Sequence, residues 1–168
     1  MSEEAGDSQL QASSLQGLAR VYLQMAKVPD SLNCTQEALL LLHSLGDPRA
    51  EALAHRASVQ AHLAAENVDG ALGAEKAAAG IFRGIHDLTA EANCLRSMVG
   101  ICMTVNRPKG ALEAAEDAAA LLRDLRDRAG ELDVLERTIC IFRTQNNFAE
   151  ALRPAQRRLE LWKELQNA

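Results

Sequence analysis

Pairs of carboxylates recur along this chain and could in principle serve as general acid and general base. Three Asp-x-x-x-Glu pairs share one spacing: Asp47 with Glu51, Asp87 with Glu91, and Asp127 with Glu131. Acid–base catalysis needs such groups at a single reacting centre. These pairs instead return every 40 residues, as helix caps do and active sites do not. We therefore interpret the aspartates as N-caps and the glutamates as first-turn residues that favour the positive end of a helix dipole.

Histidine and cysteine side chains could form a metal site or a nucleophile. His55 and His62 lie seven residues apart on one predicted helix, and Cys102 would lie near His62 if repeats stack. Zinc needs a third and a fourth ligand in tetrahedral geometry, and a Cys–His nucleophile needs an orienting acid or amide. We interpret the two histidines as packing residues. The sequence therefore predicts no catalytic residue, no metal and no cofactor.

Arginines on one predicted helix face form the best candidate for a binding site. Arg20, Arg56 and Arg96 lie on one predicted helix in each of three successive 40-residue units. One interpretation is a basic stripe that selects an acidic or phosphorylated segment through charge-assisted hydrogen bonds. The alternative is that these arginines pair with neighbouring acids or are solvated.

Composition narrows the choice of partner and compartment. The net charge of -5 argues against nucleic acid, because affinity for phosphates comes mostly from Lys and Arg. No apolar run approaches the roughly 20 residues that span a bilayer, so we expect no membrane insertion.

The first seven residues are acidic and polar, unlike a targeting segment, which predicts a cytoplasmic protein. Cysteines without C-x-x-C spacing are interpreted as reduced packing residues: Cys34, Cys94, Cys102 and Cys140.

The elements that would position these residues are read from the 40-residue period. Leucines also recur with this 40-residue period: Leu32, Leu72, Leu112 and Leu152. A fixed period of this length with helical patterning indicates stacked helix pairs. We predict an all-α fold, an α-solenoid (a right-handed superhelix) of four antiparallel helix pairs. The predicted first helices of the pairs (A helices) are 9–26, 48–65, 88–105 and 128–145, and the second helices (B helices) are 30–45, 68–85, 108–125 and 148–165.

The predicted domain organisation is simple. Residues 1–8 are expected to be a flexible acidic N-terminus and residues 9–166 a single repeat domain, with units at about 9–46, 47–86, 87–126 and 127–166. Gly73, Gly80 and Gly84 should make the helix over 68–85 the softest interior element, since glycine is a poor helix former. Pro154 should bend the last helix.

Two sets of residues carry a family resemblance. Leu15, Leu18, Ala19 and Tyr22 match the first half of a tetratricopeptide repeat, and Ala111, Leu112, Ala115 and Ala118 match the second half. The chain resembles that family in a long variety, similar to the repeats of spindle-orientation G-protein adaptors and of rapsyn. The resemblance implies a non-enzymatic module that binds a protein or an acidic peptide in its concave face.

The resemblance also implies which residues would contact the partner. They lie on the inner face of the A helices: Arg20, Arg56, Gln60, Asn93, Arg96, Met103 and Arg143. The asparagines that often bind a ligand backbone in this family are replaced, as are the residues of the clamp for a C-terminal carboxylate. A receptor for chaperone tails is therefore not expected.

A structural role is the alternative. The last predicted helix carries Leu159, Leu161, Trp162 and Leu165, with no ninth helix predicted to cover them. The chain would then be an accessory subunit or a self-associating scaffold that docks through its repeat ends. This reading predicts a possible homodimer through a C-terminal edge formed by Leu159 and Trp162.

Overall fold

Eight α-helices follow one another in the computed structural model, which describes the backbone of residues 2–166 and the side chains of residues 6–166. They are α1 (Ser2–Gln24), α2 (Val28–Leu45), α3 (Pro48–Ala64), α4 (Val68–Gly84), α5 (Leu88–Thr104), α6 (Pro108–Asp124), α7 (Arg128–Thr144) and α8 (Phe148–Gln166). No strand occurs in this described part of the chain. The predicted all-α class and the eight helices are confirmed.

The start of α1 differs from the prediction. The helix begins at Ser2, so the described residues of the expected flexible N-terminus are helical. Acidic residues favour the first turns of a helix because they complement its dipole. The acidity that suggested a loose tail is therefore compatible with a helix start.

The connections between helices share one backbone geometry. A left-handed residue ends each of α1 to α7, and these residues are 20 positions apart: Ala26, Gly46, Glu66, His86, Asn106, Arg126 and Asn146. At the end of α3, for example, the amide of Glu66 donates to the Leu63 carbonyl at 3.0 Å and that of Asn67 to the His62 carbonyl at 2.9 Å. These bonds satisfy carbonyls that the helix end would leave without partners. Each helix and its turn thus fill half of a 40-residue repeat.

Side chains cap the starts of several helices. Asp47 Oδ1 accepts a hydrogen bond from the Ala50 amide at 3.0 Å, and Asp127 Oδ1 accepts one from the Gly130 amide at 2.9 Å. Asn67 caps α4 in the same way. Since α3, α5 and α7 begin one residue after Asp47, Asp87 and Asp127, the predicted positions of the aspartates are confirmed.

The described helices divide into two compact units, and the division along the chain lies between Asp87 and Leu88. The first contains α1 to α4 and the second contains α5 to α8. In repeat proteins each repeat contacts its neighbours alone, so a chain of repeats divides readily at a junction. Within each unit the helices pack sequentially, α1–α2–α3–α4 and α5–α6–α7–α8.

Small side chains allow the helices of a pair to approach closely. Ala38, Ala78 and Ala118 occupy equivalent positions 40 residues apart and are fully buried. In α8 the equivalent residue is Arg158, which is exposed and forms an ion pair with Glu136 of α7 at 3.1 Å. None of the described helices is long and apolar enough to cross a membrane.

Candidate functional site

Arg56 is the counter-ion of a buried acid. It lies on α3 of the first unit, and its Nε atom is 3.6 Å from Oε2 of Glu75 on α4. Glu75 is almost fully buried, with 2% of the residue's surface exposed. Neither of the two atoms has a hydrogen-bond partner among the described residues, so the ion pair is their main interaction. Arg56 is thus engaged within its own helix pair.

The sequence contains a signal for the pairing of Glu75. Its equivalents in two other repeats are Thr35 and Ala115, both small and buried. A single acid at a position that other repeats fill with small residues predicts a nearby cation. Arg56, on the preceding helix, is that cation.

Arg96 is also paired, in the second unit. Its Nη2 atom donates to Asp133 Oδ2 on α7 at 2.8 Å, and Arg137 Nε donates to the same oxygen at 3.1 Å. Burial raises the pKa of the Asp133 carboxyl, but the hydrogen bonds and charges of the two arginines lower it below its ordinary value. Two guanidinium groups share one carboxylate, so this cluster keeps one positive charge.

Arg20 differs from the other two arginines of the predicted stripe. It is exposed on α1, and no acidic side chain within the described residues pairs with it. It borders a small open pocket where α1, α2 and α3 meet, which is lined by Gln16, Ala19, Arg20, Leu23, Ser31, Thr35 and Ala57. Arg20 is therefore a charged group available at the rim of a partly apolar depression.

The two hydroxyls in this pocket already have partners. Ser31 Oγ donates to the Ala19 carbonyl at 2.8 Å, and Thr35 Oγ1 donates to the Ser31 carbonyl at 2.8 Å. A ligand is therefore not needed to satisfy them as donors. Among the described residues, Arg20 is thus a cation without an acidic partner at the rim of a pocket with largely apolar walls.

The remaining residues of the predicted binding face are distributed over both units. Gln60 on α3, Asn93 on α5 and Arg143 on α7 are exposed, and Met103 on α5 is half-buried. Arg143, like Arg20, has no acidic partner among the described residues. Of the predicted arginines, Arg56 and Arg96 thus follow the alternative of pairing with acids.

Basic and acidic side chains also pair at the junctions from a B helix to the next A helix. His43 Nδ1 lies 3.2 Å from Glu51 Oε1, and Arg123 Nε lies 3.3 Å from Glu131 Oε1. Arg157 of α8 reaches the same buried Glu131 at 3.4 Å. These glutamates therefore interact with more than the helix dipole. The basic residue eight positions before each of them is the signal in the sequence for this pairing.

Both residues of the predicted C-terminal edge are exposed. Leu159 and Trp162 on α8 are exposed, Trp162 by 54%, and Leu165 is exposed as well. Leu161, which also suggested this edge, is buried and belongs to the core. One residue corresponds to about 100° around a helix, so Leu161 and Trp162 point to different sides.

The histidines and cysteines are distributed over both units. Burial lowers the pKa of His55, and the charge of Glu51 offsets part of this effect. Across the described residues, no group of three His, Cys, Asp or Glu side chains could hold a metal ion. The four cysteines carry thiols and form no disulfide.

Several solved structures have a fold similar to that of this chain. BtubC (BKLC) from P. vanneervenii has a TM-score of 0.74 at 14% identity over 96% of this chain. Aspartyl phosphate phosphatase F from Bacillus subtilis also has a TM-score of 0.74, at 9% identity over 95% of the chain. A Rap protein in complex with competence and sporulation factor has a TM-score of 0.66 at 14% identity over 99%. The fold is a TPR-like helical repeat.

These similarities concern structure alone. The chain spans 66% of the length of BtubC, 42% of the phosphatase and 45% of the Rap protein. No protein-family model matches the sequence, and no curated protein does. The expected all-α solenoid of TPR-like helix pairs is therefore confirmed as a fold.

Proposed function

We propose that this chain is a non-enzymatic, cytoplasmic protein-interaction module that binds an acidic or phosphorylated segment on the exposed face of its A helices. The observation that carries the proposal is the position of Arg20. Its guanidinium has no acidic partner among the described residues and borders the pocket between α1, α2 and α3. A carboxylate or phosphate matches the planar fork of an arginine and forms short charge-assisted bonds with it.

The other arginines contribute less to such a site. A ligand carboxylate would have to compete with Glu75 for Arg56 and with Asp133 for Arg96. A ligand carboxylate that displaces Glu75 or Asp133 only replaces one charge-assisted hydrogen bond by another, so the net gain in binding free energy is small. A ligand carboxylate that binds Arg20 adds a charge-assisted hydrogen bond that the free protein lacks. We therefore propose Arg20 as the main anchor in the first unit.

The apolar walls of the pocket indicate which kind of ligand residue would follow the ligand's acidic residue. Ala19, Leu23 and Ala57 supply apolar surface, and the hydroxyls of Ser31 and Thr35 are already bonded. A small apolar side chain would lose water-exposed surface there without leaving a polar group unsatisfied. The ligand we propose has an acidic residue followed by a small apolar one.

The structural similarities support a binding role. The Rap protein of similar fold is in complex with competence and sporulation factor. The 40-residue period, which resembles the repeats of long-repeat adaptors, fits the same role. We extend this role, and not the identity of any ligand, to the present chain.

Fluorescence anisotropy with a fluorescein-labelled octapeptide of alternating Glu and Ala tests the proposal. Arg20→Ala should weaken binding by about 10- to 150-fold, because a hydrogen bond to a charged group contributes about 1.5–3 kcal/mol. Arg153→Ala is the matched control, since Arg153 is an exposed arginine of α8 outside the predicted face. Equal affinity of the Arg20 variant and wild type, or no binding by wild type, would refute this site.

A further inference from the structure

Two arginines in the second unit share one carboxylate that is itself partly exposed. Arg96 on α5 donates to Asp133 Oδ2 on α7, through Nη2 at 2.8 Å and through Nε at 3.3 Å. Arg137, one turn after Asp133, donates to the same oxygen through Nε at 3.1 Å. The Asp133 side chain is 37% exposed, so it is not a buried charge that requires two cations. One arginine already balances this acid, and the second gives the Arg96–Asp133–Arg137 cluster an excess positive charge.

Helix packing does not explain the second arginine. The positions equivalent to Arg137 in the other three repeats hold Gly17, Ala57 and Ser97. A small side chain is therefore enough for packing at this position of the repeat. The long, charged side chain of Arg137 is particular to the last repeat, where it lies beside the Arg96–Asp133 pair.

The bonds to Asp133 hold both guanidinium groups in place and leave several of their donors free. Each guanidinium has five N–H groups, and Asp133 engages Nε and Nη2 of Arg96 and Nε of Arg137. Nη1 of Arg96 and both terminal nitrogens of Arg137 have no hydrogen-bond partner among the described residues, and none of them is buried. Because Asp133 already orders the two side chains, an anion that binds them loses less conformational entropy.

Gly100 on α5 leaves space next to the second arginine. A Cβ placed on Gly100 would lie 3.6 Å from Arg137 Nη1. The equivalent residues of the other repeats all have larger side chains: Arg20, Gln60 and Cys140. Beside the Arg137 guanidinium, α5 thus presents backbone without a side chain, and a ligand oxygen can approach the nitrogen there.

The side chains around the cluster do not cancel its charge. Glu136, also on α7, forms an ion pair with Arg158 of α8 at 3.1 Å. Asn93, one turn before Arg96 on α5, is exposed and uncharged. Its side-chain amide has donors and an acceptor that suit the backbone of a peptide. The cluster therefore combines an excess positive charge with a neighbouring group that can bind a polypeptide segment.

We infer that the Arg96–Asp133–Arg137 cluster binds the phosphate of a phosphorylated side chain in a partner segment. A phosphate monoester carries a charge of about −1.5 to −2 at neutral pH and has three acceptor oxygens. It can accept hydrogen bonds from the free nitrogens of both arginines while Asp133 stays in place. A carboxylate has one charge and two oxygens, so it gains less from two guanidinium groups that already share an acid.

This inference rests on the proposed function, since it assigns the phosphorylated part of such a segment to the second unit. The first unit offers a single arginine, Arg20, at the rim of an apolar pocket. The second unit offers two arginines that are fixed by a shared acid. The two sites therefore differ in the chemistry that they prefer.

NMR titration of the isotope-labelled 168-residue chain tests the inference. The probe is an octapeptide of alanines with one central phosphoserine, and its amide shifts should concentrate around Gly100 and Arg137. Arg137→Ala keeps the Arg96–Asp133 pair and should weaken binding by about 10- to 150-fold, the range for a lost hydrogen bond between charged groups. Arg153→Ala, which changes an exposed arginine of α8, is the matched control and should bind like the wild type. Circular dichroism should show equal helicity for all three chains.

Three further titrations identify the chemistry of the ligand. The peptide with serine in place of phosphoserine should cause no shift around Arg137. The peptide with glutamate there should bind about tenfold more weakly, because it lacks one acceptor oxygen and about half of the charge. Inorganic phosphate should shift the same amides but bind more weakly than the phosphopeptide, since it has no backbone for Asn93.

The positions of the shifts separate this inference from the Arg20 site. Shifts around Arg20 with the Glu–Ala octapeptide report on the first unit, and shifts around Arg137 with the phosphopeptide report on the cluster. The inference is overturned if the phosphopeptide causes no shift around Arg137, or if Arg137→Ala binds it as tightly as the wild type. Equal affinity for the glutamate peptide overturns the assignment to phosphate, and equal affinity for inorganic phosphate overturns the assignment to a segment.

Discussion

The guanidinium of Arg56 lies 3.6 Å from the carboxylate of Glu75, an acid with 2% of its surface exposed. A carboxylate taken out of water is costly unless a cation stays close to it. Arg56 therefore stabilises the packing of α3 on α4, although its position in the sequence predicts a ligand contact.

Replacing Arg56 should reveal this structural role. Arg56→Ala should lower the free energy of unfolding by about 2 kcal/mol, because it leaves a buried charge without its partner. Gln60→Ala, an exposed change one turn later on α3, should have little effect. Urea denaturation measures the free energy of unfolding of both variants. Equal stability of Arg56→Ala and Gln60→Ala would contradict this account.

The double variant Arg56→Leu/Glu75→Leu should recover much of the lost stability, since apolar replacement of a buried ion pair is often neutral.

The Asp133 cluster predicts a pH-dependent contribution to stability. The pKa of Asp133 in the folded chain lies below its ordinary value of 3.8. Its stabilisation is therefore fully present above that value and is lost as the pH falls through the folded-state pKa. Asp133→Asn should lower the melting temperature at neutral pH, and the difference from wild type should shrink in acid. A difference that stays constant with pH would show that charge is not the cause.

The repeated left-handed turns predict opposite effects of glycine at equivalent sites. Ala26 has a φ of 58° and Gly46 a φ of 66°. Since a side chain in this conformation costs roughly 1–2 kcal/mol, Ala26→Gly should stabilise the chain by about 1 kcal/mol. Gly46→Ala should destabilise it similarly, although a Cβ there meets no atom within 4 Å. Ala120→Gly, inside α6, is the control and should destabilise; thermal unfolding that shows a loss for Ala26→Gly would refute the turn argument.

Helix α4 remains the predicted soft element of the first unit. A Cβ added at Gly73 or Gly80 would meet no atom within 4 Å. Gly73→Ala and Gly80→Ala should therefore each raise the free energy of unfolding by roughly 0.5–1 kcal/mol. Gly130→Ala should lower the free energy of unfolding, because its Cβ would lie 2.7 Å from Leu122 Cδ2.

Hydrogen exchange should show the α4 amides opening before those of α6. Equal protection of the two helices would mean that packing outweighs helix propensity.

The helix boundaries could be predicted because they depend on local signals that repeat. Asp47 and Asp127 cap helices with their own side chains, and every turn ends in the same left-handed geometry. Such features are set by neighbours in sequence, so a regular period is enough to locate them.

The chemistry of the candidate site could be predicted less well. A residue's position in the repeat indicates which face of a helix it occupies, but not which side chain of the next helix it reaches. The pairs Arg56 with Glu75 and Arg96 with Asp133 depend on side-chain length and on the approach of two helices. Leu161 is buried beside the exposed Trp162 for the same reason, since the packing partner decides which of two adjacent residues faces the core.

A titration followed by NMR tests the proposed binding face most directly. On addition of the Glu–Ala octapeptide, amide shifts should concentrate around Arg20 and the lining of its pocket, namely Gln16, Ala19, Leu23, Ser31, Thr35 and Ala57. The shifts should disappear in Arg20→Ala and persist in Arg153→Ala. Shifts confined to other helices, or shifts that survive in Arg20→Ala, would contradict the proposal that this face binds acidic segments.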